Sequence, residues 1–130
     1  MKTLFLFGLL TFSLSGFSQR IQNSSYETIG YIKSDGRVQN SSYKTIGYIV
    51  DGRVQDASYR TIGYIKDDRI QDGSYRTLGY VKDGRVQDGS YRTLGYVKEG
   101  RVQDSSYSTL GHFDSSIPDT WAACFFFFFF

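Results

Sequence analysis

The chain has 130 residues, which is enough for one small domain, and its 15 Lys and Arg against 13 Asp and Glu give a formal net charge of +2. This balance produces no long-range field for a polyanion, so we expect no nucleic acid as a partner. The single Cys excludes an intramolecular disulfide, and one Cys with one His gives no pattern for a soft-metal site. We therefore expect no metal and no other cofactor.

Residues 1–18 have the pattern of a secretory signal peptide. Lys2 precedes an apolar stretch, and Gly16 and Ser18 place small residues before a cut at Gln19. An uncleaved anchor helix is the alternative, but the stretch is shorter than the about 20 apolar residues that a span needs. We expect a mature protein that is secreted or lies in the periplasm or cell envelope.

Residues 19–116 contain one motif written six times. The first copy has 17 residues and the other five have 16, with the consensus R-[V/I]-Q-[D/N]-x-S-Y-x-T-[I/L]-G-Y-[I/V]-K-D-G. Repetition at a fixed short period is the signature of a repeat architecture. The copies begin at Arg20, Arg37, Arg53, Arg69, Arg85 and Arg101.

Each copy contains two turn signals. Pairs such as Asp83-Gly84 suit a two-residue hairpin, and clusters such as Asp72-Gly73-Ser74 suit a turn in which side chains bond the backbone. The segments between the turns are rich in β-branched and aromatic residues and lack helical periodicity. The pattern predicts two antiparallel strands per copy, about twelve strands running up and down.

Identical hairpins in series leave two open sheet edges, so we expect a closed or radial array. The longest predicted strand has about eight residues and carries Arg or Lys, whereas a transmembrane barrel needs about 9–11 with an apolar outer face. The repeated Gly, for example Gly79, has two interpretations. It is either a β-bulge that lets Leu78 and Val81 both point inward, or a site where strands approach closely near a shared axis.

Residues 117–130 form an apolar tail that ends in six consecutive Phe. Burial of each large apolar side chain is worth about 1.5–3 kcal/mol, so free exposure is excluded. Its alternatives are an axial plug inside the β array, a membrane-dipping anchor and a sticky segment for a partner. Residues 116–119 fit a helix start, with Ser116 as the cap and Pro118 in the first turn. A helix that is apolar all round needs a wall on every side, which favours the plug. Its plug or anchor residues are Trp121, Phe125, Phe126, Phe127, Phe128, Phe129 and Phe130.

The repeat R-V-Q-D-x-S-Y-R-T-L-G-Y-V-K-D-G, followed by W-A-A-C and the Phe run, resembles the β-flower family. These are small bacterial proteins in which short hairpins radiate as petals around an axis. The similarity covers about residues 20–130. It implies a shallow, pseudo-symmetric all-β barrel, broadly reminiscent of tubby-like domains. It implies no activity and no functional residues, and it does not set the number of petals.

Single reactive residues give no catalytic constellation. His112 stands where the other copies have Tyr and has no apparent partner, and Cys124 lies in an apolar run as an inert buried thiol would. The Asp-Gly pairs match no calcium-loop spacing. We therefore expect a protein that is not an enzyme.

Two repeated features form a candidate ligand surface. The Tyr residues could provide stacking platforms for glycans or peptides, and the Arg ladder could bind anions beside the nearby Asp residues. The alternative is that Tyr packs the sheet and the charges pair on a solvated face. The candidate residues are Tyr43, Tyr59, Tyr75, Tyr91, Arg53, Arg69 and Arg85.

These features predict a secreted, non-enzymatic structural or interaction protein whose repeated turns present a surface to a glycan, peptide or lipid. The alternative is an envelope or membrane-associated protein anchored by the Trp and poly-Phe tail, which would contact the membrane.

Overall fold

The computed structural model describes residues 19–130 as a closed barrel of twelve antiparallel strands. Residues 1–18, which carry the predicted signal peptide, lie outside the described residues. Each strand pairs with its neighbours in the chain, and the last strand pairs with the first. The predicted closed array of six hairpin repeats is confirmed. The strands are β1 (Arg20–Asn23), β2 (Thr28–Ile32), β3 (Arg37–Asn40), β4 (Thr45–Val50), β5 (Arg53–Asp56), β6 (Thr61–Lys66), β7 (Arg69–Asp72), β8 (Thr77–Lys82), β9 (Arg85–Asp88), β10 (Thr93–Lys98), β11 (Arg101–Asp104) and β12 (Thr109–Phe113).

The two kinds of turn lie at opposite ends of the barrel. Short turns such as Asp83-Gly84 follow even-numbered strands at one end, the turn end, and four-residue loops such as residues 73–76 follow odd-numbered strands at the other, the loop end. In the second copy, Asp51 has φ 52° and Gly52 has φ 76°. Positive φ at both central residues matches the twist of a two-residue hairpin, as the Asp-Gly pattern predicts.

The loop-end turns are held by the Asp or Asn that ends each odd strand. The carboxylate of Asp72 accepts hydrogen bonds from the backbone N–H groups of Ser74 (2.8 Å) and Arg76 (3.0 Å). Tyr75 has φ 69°, and its N–H donates to the carbonyl of Asp72 at 3.0 Å. Tyr75 therefore belongs to the loop. The predicted strand of about eight residues is too long, since β8 begins at Thr77 and has 6 residues.

A β-bulge precedes the repeated Gly. In the β7–β8 pair, Leu78 has no partner on the neighbouring strand, because the register skips from Gly79 to Thr77. The same skip occurs in the hairpins of the other copies. The bulge resets the alternation, so Val81 is buried while Leu78 packs half-buried against the core.

The inner wall is a ring of aliphatic side chains. The first five copies contribute inward-facing Val or Ile from both strands, and the sixth contributes Val102 and Phe113, so these side chains surround the barrel axis. The buried members of the ring are Ile21, Ile32, Val38, Ile49, Val54, Ile70, Val81, Val86, Val97 and Val102.

The tail enters this ring as a plug. Helix α1 (Asp119–Ala123) leads into a π-helical turn, Cys124–Phe128, and the predicted helical segment at the axis is confirmed. The predicted cap at Ser116 is wrong, because Pro118 is the residue that precedes the helix and no side chain caps it. The hydroxyl of Ser116 instead donates to the carboxylate of Asp114 at 2.7 Å, in the turn that redirects the chain from the wall to the axis.

The six Phe rings meet the six repeated Gly residues one to one. A Cβ built on Gly79 would lie 2.8 Å from the ring of Phe128, so the ring occupies the space that a side chain would fill. Both interpretations of the Gly therefore hold: it follows a bulge, and it admits a close approach. The pairs are Phe125 with Gly30, Phe126 with Gly111, Phe127 with Gly95, Phe128 with Gly79, Phe129 with Gly63 and Phe130 with Gly47.

The π-helical turn brings the advance of the chain per residue closer to the spacing between copies. Each Phe points one copy, one sixth of a circuit, beyond the Phe before it, whereas residues of an α-helix advance by about 100°. The backbone widens to make this step, and the N–H of Phe129 donates to the carbonyl of Cys124, five residues back, at 2.9 Å.

Candidate functional site

The outer face of each copy is built around one strand Tyr. In β8, Tyr80 lies between the inward-facing Gly79 and Val81, so its ring projects outward from the barrel. Its cross-strand neighbours are Arg69 on β7 and Gln87 on β9. A guanidinium, a phenol ring and an amide therefore stand in a row across three strands.

A second Tyr, from the loop of the next copy, stacks on the strand Tyr. The rings of Tyr80 and Tyr91 lie 4.6 Å apart with 10° between their planes. Tyr91 has φ 69°, and the amide of Gln87 donates to its carbonyl at 3.0 Å. These local features turn the loop ring back onto the barrel wall. The stacked pairs are Tyr26 with His112, Tyr31 with Tyr43, Tyr48 with Tyr59, Tyr64 with Tyr75, Tyr80 with Tyr91, and Tyr96 with Tyr107.

Hydrogen bonds within the stacked pairs favour the neutral form of the strand Tyr. The hydroxyl of Tyr31 donates to the hydroxyl of Tyr43 at 3.0 Å, and that hydrogen bond raises the pKa of Tyr31 above its ordinary value. Loss of the proton would remove the bond, which is why the bond favours the neutral form. The same cause raises the pKa of Tyr48, which donates to Tyr59 at 3.1 Å. The pairs therefore present uncharged aromatic surface.

The Asp residues that end β5, β7 and β9 form ion pairs with loop arginines and not with the arginines of the ladder. Asp72 forms its ion pair with Arg76 at 3.1 Å, in the loop, rather than with Arg69 on the strand. Asp56 and Asp88 bind the equivalent loop arginines. Within residues 19–130, the ladder members Arg53, Arg69, Arg85 and Arg101 form no ion pair, whereas Arg37 pairs with Asp35 at 3.2 Å. The loop arginines are therefore held in ion pairs with the Asp four residues before them, whereas Arg53, Arg69 and Arg85 point outward without an ion pair.

Two neighbouring clefts on the outside bring the candidate residues together. The 51–75 groove, of about 600 Å³, contains Arg53, the stacked Tyr64 and Tyr75, Gln71 and the turn residue Asp51. In this groove, three cationic side chains face two acidic ones, which leaves one net positive charge.

The 66–91 groove is equivalent and has a volume of about 320 Å³. It contains Arg69, the stacked Tyr80 and Tyr91, and Gln87, again with three cationic and two acidic side chains. The two grooves share Lys66, Asp67 and Arg69, so they adjoin each other on the outer wall.

The two grooves contain only some of the predicted surface residues. Arg53 shares a groove with Tyr75, and Arg69 shares one with Tyr91. Arg85 lies opposite Tyr96, whose stacking partner is Tyr107.

Tyr43 and Tyr59 stack on strand Tyr residues that lie opposite Arg20 and Arg37. The predicted ligand surface did not include Gln71 and Gln87 or the turn acids Asp51 and Asp67, which line the grooves. The Gln and the turn acid recur in the copies at the same period as the Arg.

The seam groove differs from the others. It lies where β12 closes on β1, has a volume of about 410 Å³, and contains Glu99, Arg101, Tyr26 and His112. His112 takes the place of the strand Tyr and stacks on Tyr26 at 4.1 Å, with 9° between the ring planes. An imidazole here preserves the aromatic pair.

The tail residues lie with the core. Trp121 and the six Phe pack against the buried cluster, and the Phe rings surround a shallow depression of about 230 Å³. Cys124 is fully buried, and burial raises the pKa of its thiol to about 12. The thiol therefore stays protonated and unreactive at neutral pH.

Across residues 19–130, His, Cys, Asp and Glu side chains nowhere gather in groups of three that could hold a metal ion. In the same part of the chain, no helix has the length and apolar character needed to cross a membrane.

Comparison with known proteins identifies the family. A family model described as "5-fold beta-flower protein" matches residues 18–130, which include all six copies and the tail. Neither curated proteins nor solved structures gave a match. The description names five-fold symmetry, whereas this barrel closes with six hairpins, each facing its own Phe. The chain belongs to the 5-fold beta-flower protein family.

Proposed function

We propose that this protein is a non-enzymatic binding protein that works outside the cytoplasm and holds its ligand in the outer grooves between hairpins. The proposal rests on one observation: an Arg that forms no ion pair lies in the same groove as two stacked Tyr rings, as Arg69 does with Tyr80 and Tyr91. Convergent polar groups beside aromatic surface in a cleft are the usual features of a small-ligand site.

The contrast between the two sets of Arg supports this assignment. Arg76 is held by Asp72, and this pair stabilises the loop. Arg69 has no such role, yet an Arg recurs at its position in each copy. Apart from Arg37, which pairs with Asp35, the Arg side chains at this position within residues 19–130 form no ion pair, so their guanidinium groups are available to a ligand.

The reactive groups favour binding over catalysis. Cys124 is fully buried with a raised pKa, and His112 stacks on Tyr26 in the seam groove. Within residues 19–130, neither side chain forms a hydrogen bond or ion pair with a group that would activate it as a nucleophile or base.

Secretion is part of the proposal and rests on the sequence pattern of residues 1–18. The alternative role, envelope attachment through the tail, would require Trp121 and the Phe run to leave the barrel. Each Phe ring already packs on a Gly, and Ala122, Ala123 and Cys124 are fully buried, so withdrawal would empty the core. These contacts favour the grooves as the binding surface.

A binding screen with matched variants tests the proposal. Residues 19–130 are applied to arrays of glycans, peptides and lipid headgroups, together with two triple variants. The ladder variant changes Arg53, Arg69 and Arg85 to Gln, and the loop variant makes the same change at Arg60, Arg76 and Arg92. Both lose three positive charges, but only the first alters the grooves. We expect a ligand that the ladder variant loses and the loop variant retains.

Equal binding by both folded variants, or no ligand at all, would overturn the groove assignment. Liposome flotation of the unmodified chain tests the alternative role. Flotation that depends on the Phe run would favour the anchor.

A further inference from the structure

The outer grooves carry more chemical detail than a general binding surface does. We propose that they bind an acidic polysaccharide, with the carboxylate of a uronic acid on the ladder Arg and the sugar ring against the stacked Tyr pair. The inference rests on the proposed function, that the grooves hold the ligand.

Each group in the 66–91 groove selects one part of such a ligand. The guanidinium of Arg69 presents planar, paired N–H donors, which match a carboxylate. The neutral ring of Tyr80 offers an apolar face for the C–H side of a pyranose. The carboxylate of Asp67 accepts hydrogen bonds from hydroxyls, and the amide of Gln87 adds polar contacts.

The acids in the grooves argue against other anions. Asp51 and Asp67 stand beside the ladder Arg and would repel a ligand that carries only negative charge. A free phosphate would use the cations but leave the aromatic pair and the acids without partners. A ligand with both a carboxylate and several hydroxyls satisfies the cation and the acid together.

The continuity of the grooves argues for a polymer. The 51–75 and 66–91 grooves share Lys66, Asp67 and Arg69, and a further cleft beyond them contains Lys82, Arg85 and Gln87. A chain of repeating sugars can therefore pass from one hairpin to the next and meet an Arg and a Gln in each cleft, with a stacked Tyr pair in the 51–75 and 66–91 grooves. Several weak contacts on one strand raise the overall affinity without any new kind of contact.

The small net charge is consistent with this mode. The chain as a whole carries a formal charge of +2, while the 51–75 and 66–91 grooves each carry one net positive charge. Recognition would then depend on contact inside the groove rather than on long-range attraction.

Titration calorimetry with defined sugars tests the proposal. Residues 19–130 are titrated with trigalacturonic acid, with its methyl ester, with maltotriose and with inorganic phosphate. We expect binding of the acid, and affinity lower by about tenfold or more for the ester and for maltotriose, because each lacks the carboxylate that pairs with Arg. Longer oligogalacturonates should bind more tightly than the trimer.

The same titrations are repeated with the ladder variant and the loop variant. The ladder variant should lose the trimer, and the loop variant should stay within about twofold of the parent chain. Equal affinity for acid and ester would exclude carboxylate recognition, and this comparison needs no altered protein. Phosphate that competes with the trimer at equal concentration would make the groove a simple anion site.

The outcomes separate this inference from the proposed function. If the array yields a ligand that the ladder variant loses, while trigalacturonic acid does not bind, the grooves are binding sites and the acidic sugar is wrong. If the ladder variant binds every ligand as the parent does, both proposals fail.

Discussion

The inside and the outside of this barrel use the same six copies in opposite ways. Inside, a repeating wall is filled by a tail that has no repeat of its own, and each Phe ring occupies the space above one Gly. Outside, stacked Tyr pairs and unpaired Arg leave clefts of several hundred Å³. The interior positions are therefore determined by packing, whereas the exterior keeps polar groups available. Changes inside should affect folding, and changes outside should affect binding.

The largest effect is expected from removing the Phe run. Deleting residues 125–130 exposes the ring of six Gly and the aliphatic side chains behind it. Burial of one Phe is worth about 1.5–3 kcal/mol, so six half-buried rings represent much of the about 5–15 kcal/mol that stabilises a small domain. We expect loss of the cooperative unfolding transition, measured by circular dichroism. Emission from Trp121 should shift to the red, as in the unfolded chain. A truncated chain that still melts cooperatively would show that the plug is dispensable.

A smaller but more specific effect follows from the match between copies and rings. Deleting residues 69–84 removes one hairpin with Gly79 and leaves a ring of five copies facing six Phe. The surplus ring has no Gly to face, and overpacking costs about 1–3 kcal/mol. Deleting Phe130 as well should restore part of the lost stability, measured by urea unfolding. A five-copy chain that is more stable with six Phe than with five would contradict the one-to-one packing.

A single added methyl group tests the same contact. In Gly79→Ala the new Cβ would meet the carbonyl of Gln87 and the ring of Phe128, so we expect a loss of about 1–3 kcal/mol in the free energy of unfolding. Gly73→Ala is the matched control, because the third copy has Ala57 at that position. It should change stability by less than about 0.5 kcal/mol. Equal losses in the two variants would mean that the Gly ring is not tightly packed.

The interior was largely predictable from the sequence, and the reason is geometric. Six copies with two turn signals each predict twelve strands, and an apolar tail that needs a wall on every side favours a plug over a membrane anchor or a partner segment. The assignment of Phe126 to Gly111 rather than to Gly47 was not predictable. It depends on where the helix enters the barrel and on the direction of the π-helical turn, which no local pattern encodes.

The exterior was predictable in composition but not in pairing. Arg69 and Asp72 are close in the chain, yet an offset of three along a strand places their side chains on opposite faces. Arg76 returns across the loop and takes the ion pair instead. The Tyr–Tyr stacks join residues 11 or 12 apart in adjacent copies, so they appear only when neighbouring hairpins pair, and the Tyr26–His112 stack requires closure of the barrel.

On the outside, the stacked pairs should matter more for binding than for folding. Tyr91→Ala removes one ring of a stack that is worth about 0.5–1.5 kcal/mol, so the barrel should remain folded at room temperature. The 66–91 groove loses an aromatic wall, and ligand binding there should fall further than in Tyr91→Phe, which keeps the ring. Calorimetric binding and thermal melting of both variants check the prediction. A large loss of stability with unchanged binding would show that the Tyr pairs stabilise the fold and do not bind the ligand.

The smallest effect is expected from the loop acids at low pH. The backbone N–H of Arg76 holds the pKa of Asp72 below its ordinary value, and the loops of Asp56 and Asp88 have the same arrangement. A lowered folded pKa stabilises the protein above the unfolded value, about 3.9, and this contribution disappears as the pH falls through the folded value. The urea midpoint should therefore decline between about pH 4 and pH 2.

Replacing Asp56, Asp72 and Asp88 with Asn should flatten that decline without disrupting the loops. Asn23 and Asn40 occupy the same position in the first two copies, and their side-chain oxygens accept the same two backbone hydrogen bonds. The substitutions also leave Arg60, Arg76 and Arg92 without ion pairs. If the barrel then binds an acidic ligand at the loop end, unpaired Arg alone is enough for binding. If binding stays confined to the ladder Arg, the aromatic pair beside each one is the group that makes the outer groove a site.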